Sequence, residues 1–213
     1  MKLSDYIIDW LSSKGIEDIF TVSGGGSIVL CDSIARSNSL KYFCCHHEQA
    51  VAFAAEGYAR ASNKIGVALV TTGPGATNAI TGVSSSWIDS IPLIFISGQV
   101  YSGQTIKKTK LRQLGVQEIN IVDLVRSNTK YVVSISSPDE IKYELEKAYY
   151  YAVSDRPGPV WIDVPADVQL AEINPENLRS FDPKPIIKKQ SNKEIDFVLK
   201  KLKTSKRPLI LAG

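Results

Sequence analysis

Cysteine is scarce: three in 213 residues (Cys31, Cys44 and Cys45), with no Cys-x-x-Cys spacing. That excludes a disulfide framework or a zinc knuckle. A reducing cytoplasm is the compartment that fits, with the thiols serving as small core residues. Histidine is scarcer still, only His46 and His47. Adjacent side chains near a strand end project in different directions, and no third ligand follows, so no metal pair is indicated. No apolar run reaches membrane-spanning length. The N-terminus, MKLSDYIIDWLSSKGIEDIF, has acidic residues and helical spacing where a signal peptide would be uniformly apolar. No Gly-x-Ser-x-Gly supports hydrolase chemistry. The glycine run at Gly24–Gly26 is followed by no lysine, so it is not a P-loop, and Val29 stands where a dinucleotide fingerprint needs its third glycine.

What is present is ordinary for a globular protein: 44% hydrophobic and 22% charged residues. The net charge of +3 is localised. Between Lys184 and Arg207 stand nine basic residues and two acidic ones, which leaves 16 basic against 20 acidic in the rest of the chain. Without interleaved aromatics beyond Phe197, this basic stretch reads as a solvated face. No nucleic acid and no membrane is expected as a partner.

Leu3, Ile7, Ile8 and Leu11 recur at helical spacing, with Gly15 as a stop. Short apolar runs at 18–22, 40–45, 66–71, 93–97, 131–135 and 160–164 read as strands. Helical stretches at 48–61, 76–87, 118–125 and 138–153 fall between them. The alternation predicts an α/β fold, a doubly wound open parallel sheet of about six strands with helices on both faces. The alanine-rich helix from Glu48 is expected to be buried on more than one face. Gln99–Gln117, with Lys107, Lys108, Lys110 and Arg112, has no periodicity and reads as a long loop of functional or mobile character. The domain is expected to span 1–170, followed by a proline-bearing linker over 171–190. A helix at 191–204 and a strand at 207–213 would then begin a second, truncated α/β domain.

Ligands bind outside the carboxyl ends of strands in open α/β sheets. Two such edges fall at His46-His47-Glu48-Gln49 and at Thr72-Gly73-Pro74-Gly75. A lone glutamate at a helix start is commonly a first-turn charge favoured by the helix dipole. Gly24-Gly25-Gly26 is either a flexible turn or a close backbone approach to a ligand.

Several blocks follow one another in a recognisable order. They are His47-Glu48-Gln49, Ala54-Ala55-Glu56-Gly57-Tyr58-Ala59-Arg60-Ala61, Gly73-Pro74-Gly75-Ala76-Thr77-Asn78, Asp89-Ser90-Ile91-Pro92, Ser97-Gly98-Gln99-Val100, Arg156-Pro157-Gly158-Pro159-Val160 and Ile162-Asp163-Val164-Pro165. Across nearly all of Met1–Asp167 the chain resembles the thiamine diphosphate (ThDP) dependent 2-oxo-acid enzymes, the acetolactate synthase group in particular.

The resemblance implies a cofactor half-site. Glu48 matches the family glutamate that hydrogen-bonds the aminopyrimidine and promotes loss of the cofactor C2 proton, a role that suits a carboxyl raised by burial. Gly73, Pro74, Gly75 and Asn78 match the turn against the pyrimidine. Gly24 and Gly25 match a loop on the substrate side, and Gln117 a glutamine that reaches the reacting centre. Val22-Ser23 replaces the usual Tyr-Pro, and Val116 replaces an aromatic. Both changes bear on the pocket that chooses the carbonyl acceptor. Mg²⁺ is implied through a Gly-Asp-Gly motif of a separate diphosphate-binding domain, absent from these residues. FAD is compatible as a further cofactor. The family places its site between subunits, so a homodimer or tetramer acting on a small 2-oxo acid is expected, and this piece alone should be silent. Decarboxylase or lyase chemistry of the same family, or a non-catalytic assembly domain, are the alternatives.

Overall fold

The computed structural model describes residues 1–106, 109–183 and 191–211. They form two compact units, Met1–Phe181 and Asp182–Gly213. The first unit runs α1 (Leu3–Ser13), β1 (Asp18–Thr21), a 3₁₀ turn (Gly25–Ser27), α2 (Ile28–Arg36), β2 (Lys41–Cys44), α3 (Glu48–Ser62) and β3 (Gly66–Val70). It continues with α4 (Pro74–Asn78), α5 (Ile80–Asp89), β4 (Leu93–Gln99), α6 (Ile121–Val125), β5 (Tyr131–Ser134), α7 (Ile141–Val153), β6 (Pro159–Pro165) and α8 (Ala166–Leu170). Among the described residues the six strands make one parallel sheet in the order β2-β1-β3-β4-β6-β5. The expected doubly wound α/β fold is observed.

Side-chain alternation builds a core on each face of this sheet. Val67 and Leu69 of β3, Ile94 and Ile96 of β4, and Val160, Ile162 and Val164 of β6 pack with α1, α2 and α7. Their neighbours Ala68, Val70, Leu93, Phe95 and Trp161 pack with α3, α5 and α6 on the opposite face. Phe95 and Trp161 are register partners and stack at 5.1 Å. Strands buried on both faces read as unbroken apolar runs, which is why β3, β4 and β6 were legible.

Alanines let α3 approach two neighbours closely. A Cβ on Gly66 would lie 2.3 Å from the Ala55 carbonyl oxygen, and one on Gly82 would lie 2.4 Å from Ala52 Cβ. The helix is therefore buried against both β3 and α5, as expected, while Ala50, Phe53, Gly57 and Ala61 face outward. Glu56 is buried on this helix and accepts from Arg60 Nη2 (2.6 Å), Ser85 Oγ (3.2 Å) and Ser86 Oγ (3.5 Å). Arg60 reaches on to Asp89 at 2.5 Å. Two of the sequence blocks are thus joined by a structural ion pair. Replacing Glu56 by Ala orphans these donors and is expected to cost about 2 kcal/mol, read from the urea midpoint of the chain.

Local departures from expectation have local causes. The stretch 76–87 is two helices, α4 and α5, meeting at Ala79. The helix expected from Glu118 begins only at Ile121, because Gln117 has φ +58° and the Asn120 side chain accepts from Asp123 N to cap the start. Residues 171–181 lie on the first unit: Ile173 and Leu178 are buried, and Phe181 N donates to Glu146 Oε2. Lys107, Lys108 and 184–190, including Lys184, Lys188 and Lys189, lie outside the described residues.

In the second unit α9 (Asn192–Thr204) starts at a Ser191–Glu194 capping box. Arg207–Leu211 forms no strand, contrary to expectation, and Ala212 and Gly213 lie outside the described residues. A strand needs a neighbour for its backbone groups, and the described residues of this unit offer none. No helix among the described residues is long and apolar enough to cross a membrane.

Candidate functional site

The sheet order makes β1 and β3 neighbours, although the chain visits β2 between them. At such a reversal the loops leaving the two strands diverge to opposite faces and leave a crevice. Here the loops are 22–26 after β1 and 71–75 after β3. Thr71 joins them. Its Oγ1 accepts from Gly26 N at 3.0 Å. Cβ atoms built on Gly24 and on Gly75 would each fall 2.5 Å from its Cγ2. Two glycine loops thus clasp one threonine, and neither position admits a side chain. Gly25 has nothing within 4 Å of a notional Cβ and opens into space.

Glu48 enters from the next junction, after β2. It is the first residue of α3, and His47 caps that helix by accepting from Gln49 N through Nδ1 (3.1 Å). The carboxylate is half-buried and turned to the Gly73–Pro74–Gly75 bend. Asn78 Nδ2 donates to Oε2 at 3.0 Å, and Oε1 lies 3.2 Å from where a Gly75 Cβ would be. No described residue donates a hydrogen bond to Oε1. Asn78 is the last residue of α4, and Pro74 sits at the first helical position, where its missing N–H costs nothing.

Gln117 closes the other side. Gly73 has φ +60° and ψ −124°, and a Cβ there would lie 2.0 Å from the Gln117 carbonyl oxygen. The loop after β4 therefore rests its backbone on the bend. A cavity of about 300 Å³ opens beside it, lined by Gly25, Ile28, Thr72, Val116, Gln117 and Leu170 among others. The structure thus brings Glu48, Gly73, Pro74, Gly75 and Asn78 to one bend. It places Gly24 behind Thr71, and Gly25 and Gln117 at the adjoining cavity.

Sequence reasoning missed Thr71 and, although it placed Thr72 at the ligand-binding edge, gave Thr72 no role. The available signal was a pair of hydroxyls at the carboxyl end of a buried strand, directly before Gly-Pro-Gly. Of the cysteines only Cys44 departs from expectation: it is exposed because β2 is an edge strand exposed along its whole length. Cys31 on α2 and Cys45 are half-buried and pack against the two cores. Burial pushes the Cys45 thiol up, as does neighbouring Cys44. Among the described residues no group of three or more His, Cys, Asp or Glu is placed to hold a metal ion.

A family model described as "Thiamine pyrophosphate enzyme, N-terminal TPP binding domain" matches residues 1–124. The chain belongs to this family. Residues 1–124 of this thiamine pyrophosphate (ThDP) enzyme domain contain every candidate site residue above. Its relatives include the chloroplastic acetolactate synthase of Arabidopsis thaliana, 35% identical over 223 residues, covering 100% of this chain and 31% of the relative. The acetolactate synthase large subunit of Lactococcus lactis is 35% identical over 212 residues, covering 99% of this chain and 36% of the relative. That of Buchnera aphidicola is 36% identical over 218 residues, with 99% and 36% covered. The chain spans about a third of the length of the curated relatives it matches.

Proposed function

We propose that this chain is the pyrimidine-binding half of a ThDP-dependent 2-oxo-acid enzyme of the acetolactate synthase kind, a transferase in which Glu48 acts on the aminopyrimidine. The observation that carries the reading is the Glu48 carboxylate held between Gly75 and Asn78 at the β1/β3 crevice. When bound, ThDP supplies an electron sink that lets a 2-oxo acid lose carbon dioxide and its remaining carbons pass to a second carbonyl.

The residues fit the cofactor's ring. Gly73 and Gly75 hold the bend free of side chains, so backbone can approach an aromatic edge. Asn78 occupies Oε2 and leaves Oε1 as the oxygen that would share a proton with the ring nitrogen. Proton sharing between the carboxylate and the ring depends on the ring displacing water from the crevice. Gly25, Val116 and Gln117 line the cavity in which the acceptor would sit, and among its polar lining, which also includes Thr72, Gln99 and Gln104, Gln117 is the residue we assign to the reacting carbonyl.

Diphosphate is ordinarily held through a divalent cation on oxygen ligands. The described residues do not fit such a site, so Mg²⁺ is assigned to a diphosphate-binding half and no step runs through it here. That half completes the site from a second subunit of the same protein, giving a homo-oligomer with interfacial sites. The exposure of Ile28 and Val116, which line the cavity, supports such a cover. The holoenzyme is this domain together with that diphosphate-binding half.

The test is ThDP-dependent consumption of pyruvate by the holoenzyme, with product analysis in the presence of a second 2-oxo acid. A carboligated hydroxy-oxo acid is expected, and release of aldehyde alone would assign decarboxylation instead. This chain by itself is expected to bind ThDP weakly and turn over nothing. Pyruvate turnover by the chain alone would overturn the half-site.

A further inference from the structure

We propose that Gln99 is the positioning residue that fixes Gln117 over the Gly73–Pro74–Gly75 bend. The catalytic consequence rests on the half-site reading, and the structural one does not. Gln99 is the last residue of β4 and is 3% exposed. It contributes nothing to the apolar core, yet every polar position of its amide is engaged.

Oε1 accepts from Thr72 Oγ1 (2.5 Å) and from Val100 N (3.0 Å). Nε2 donates to the Ile119 carbonyl (3.1 Å) and to Asp163 Oδ2 (3.4 Å). One amide thereby ties three segments that sequence keeps far apart: the residue before Gly73, the loop two residues past Gln117, and strand β6. Behind it Asp163 Oδ1 accepts from Ser97 Oγ (2.6 Å), which in turn accepts from Trp161 Nε1 (2.8 Å). That chain of bonds anchors the amide to the Phe95–Trp161 stack, a rigid part of the core.

The direction of each bond matters. Only an amide both accepts from Thr72 and donates to Ile119 at this spot. Gln99→Glu keeps the first and places an acceptor against a carbonyl and a carboxylate. Gln99→Leu loses all four bonds. Neither side chain restores the tie between the bend and the Gln117 loop, whose backbones also meet where Gly73 faces the Gln117 carbonyl.

Two measurements test this. In amide hydrogen exchange of this chain, Gln99→Leu is expected to speed exchange across 115–121 by at least about tenfold while β1 and β3 keep their protection. In the holoenzyme, Gln99→Leu is expected to lower kcat at least about tenfold with the ThDP Kd within about threefold. On a Gln117→Ala background it should cost less than about twofold more, because the two residues act as one unit. If Gln99→Leu does not fold, Thr72→Val takes its place and Thr72→Ser, which keeps the hydroxyl, should restore both readouts. Unchanged exchange at 115–121, or kinetic losses that multiply independently, would overturn the proposal. A wild-type holoenzyme without ThDP-dependent turnover would sink the half-site reading, while the exchange result still decides the role of Gln99.

Discussion

Glu48→Gln in the holoenzyme is expected to slow C2–H exchange of bound ThDP by at least about a hundredfold, the usual lower range for loss of a positioned acid–base group. Proton exchange followed by NMR reads this directly, before any 2-oxo acid is added. The substitution is nearly isosteric. The glutamine carbonyl can still accept from Asn78 Nδ2, which now donates to Oε2 at 3.0 Å. Loss of the first-turn charge at α3 is worth only about 0.3–1 kcal/mol, so thermal unfolding should move by no more than a few degrees. A large loss of exchange without a large loss of stability is the pattern that separates a working carboxylate from a helix-dipole partner. Exchange at the wild-type rate would return Glu48 to the latter role. The distinction is sharp because both roles share one position, and only the Gly75 and Asn78 contacts point to the former.

Gly73→Ala is expected to be the most destabilising single substitution at the site, by about 3 kcal/mol or more. Two independent effects add at this residue. Its φ of +60° with ψ −124° is a conformation for which a side chain is strained. A Cβ would also meet the Gln117 carbonyl oxygen at 2.0 Å, a backbone atom that cannot rotate away. Either the bend unwinds or the Gln117 loop lifts, and both dismantle the crevice. Urea unfolding of this chain gives the number. Gly25→Ala is the control: nothing lies within 4 Å of its Cβ, so stability should change by less than about 1 kcal/mol. Because Gly25 lines the cavity, its effect should show in the KM of the acceptor in the holoenzyme. Equal destabilisation by the two substitutions would mean that the bend is not under the constraint described.

Much of the fold was open to reading because strand and helix periods are local properties. Gly66–Val70, Leu93–Gln99 and Pro159–Pro165 are buried on both faces and therefore carry uninterrupted apolar runs. The edge strand Lys41–Cys44 was harder to interpret: its apolar residues suggested a core, and all four are exposed. The segment 207–211 looked like a strand by composition, but composition cannot supply a neighbour. The block from Ala54 to Ala61 belonged to the family pattern, yet in space Arg60 binds Glu56 and Asp89 rather than the crevice.

The chain's own order of residues determined that strands and helices alternate, that the bends fall at Gly24–Gly26 and Gly73–Gly75, and that a carboxylate begins α3. Those facts follow from side-chain period, the missing Cβ of glycine and the missing N–H of proline, all of which act within a few residues. Tertiary structure alone decided that β3 lies beside β1, so that Thr71 sits between two glycine loops. It also decided that Glu48 faces Asn78, 30 residues away, and that Gln99 carries four bonds to otherwise distant segments. Such pairings arise when two apolar faces of one sheet are buried together, and no local pattern of residues contains them.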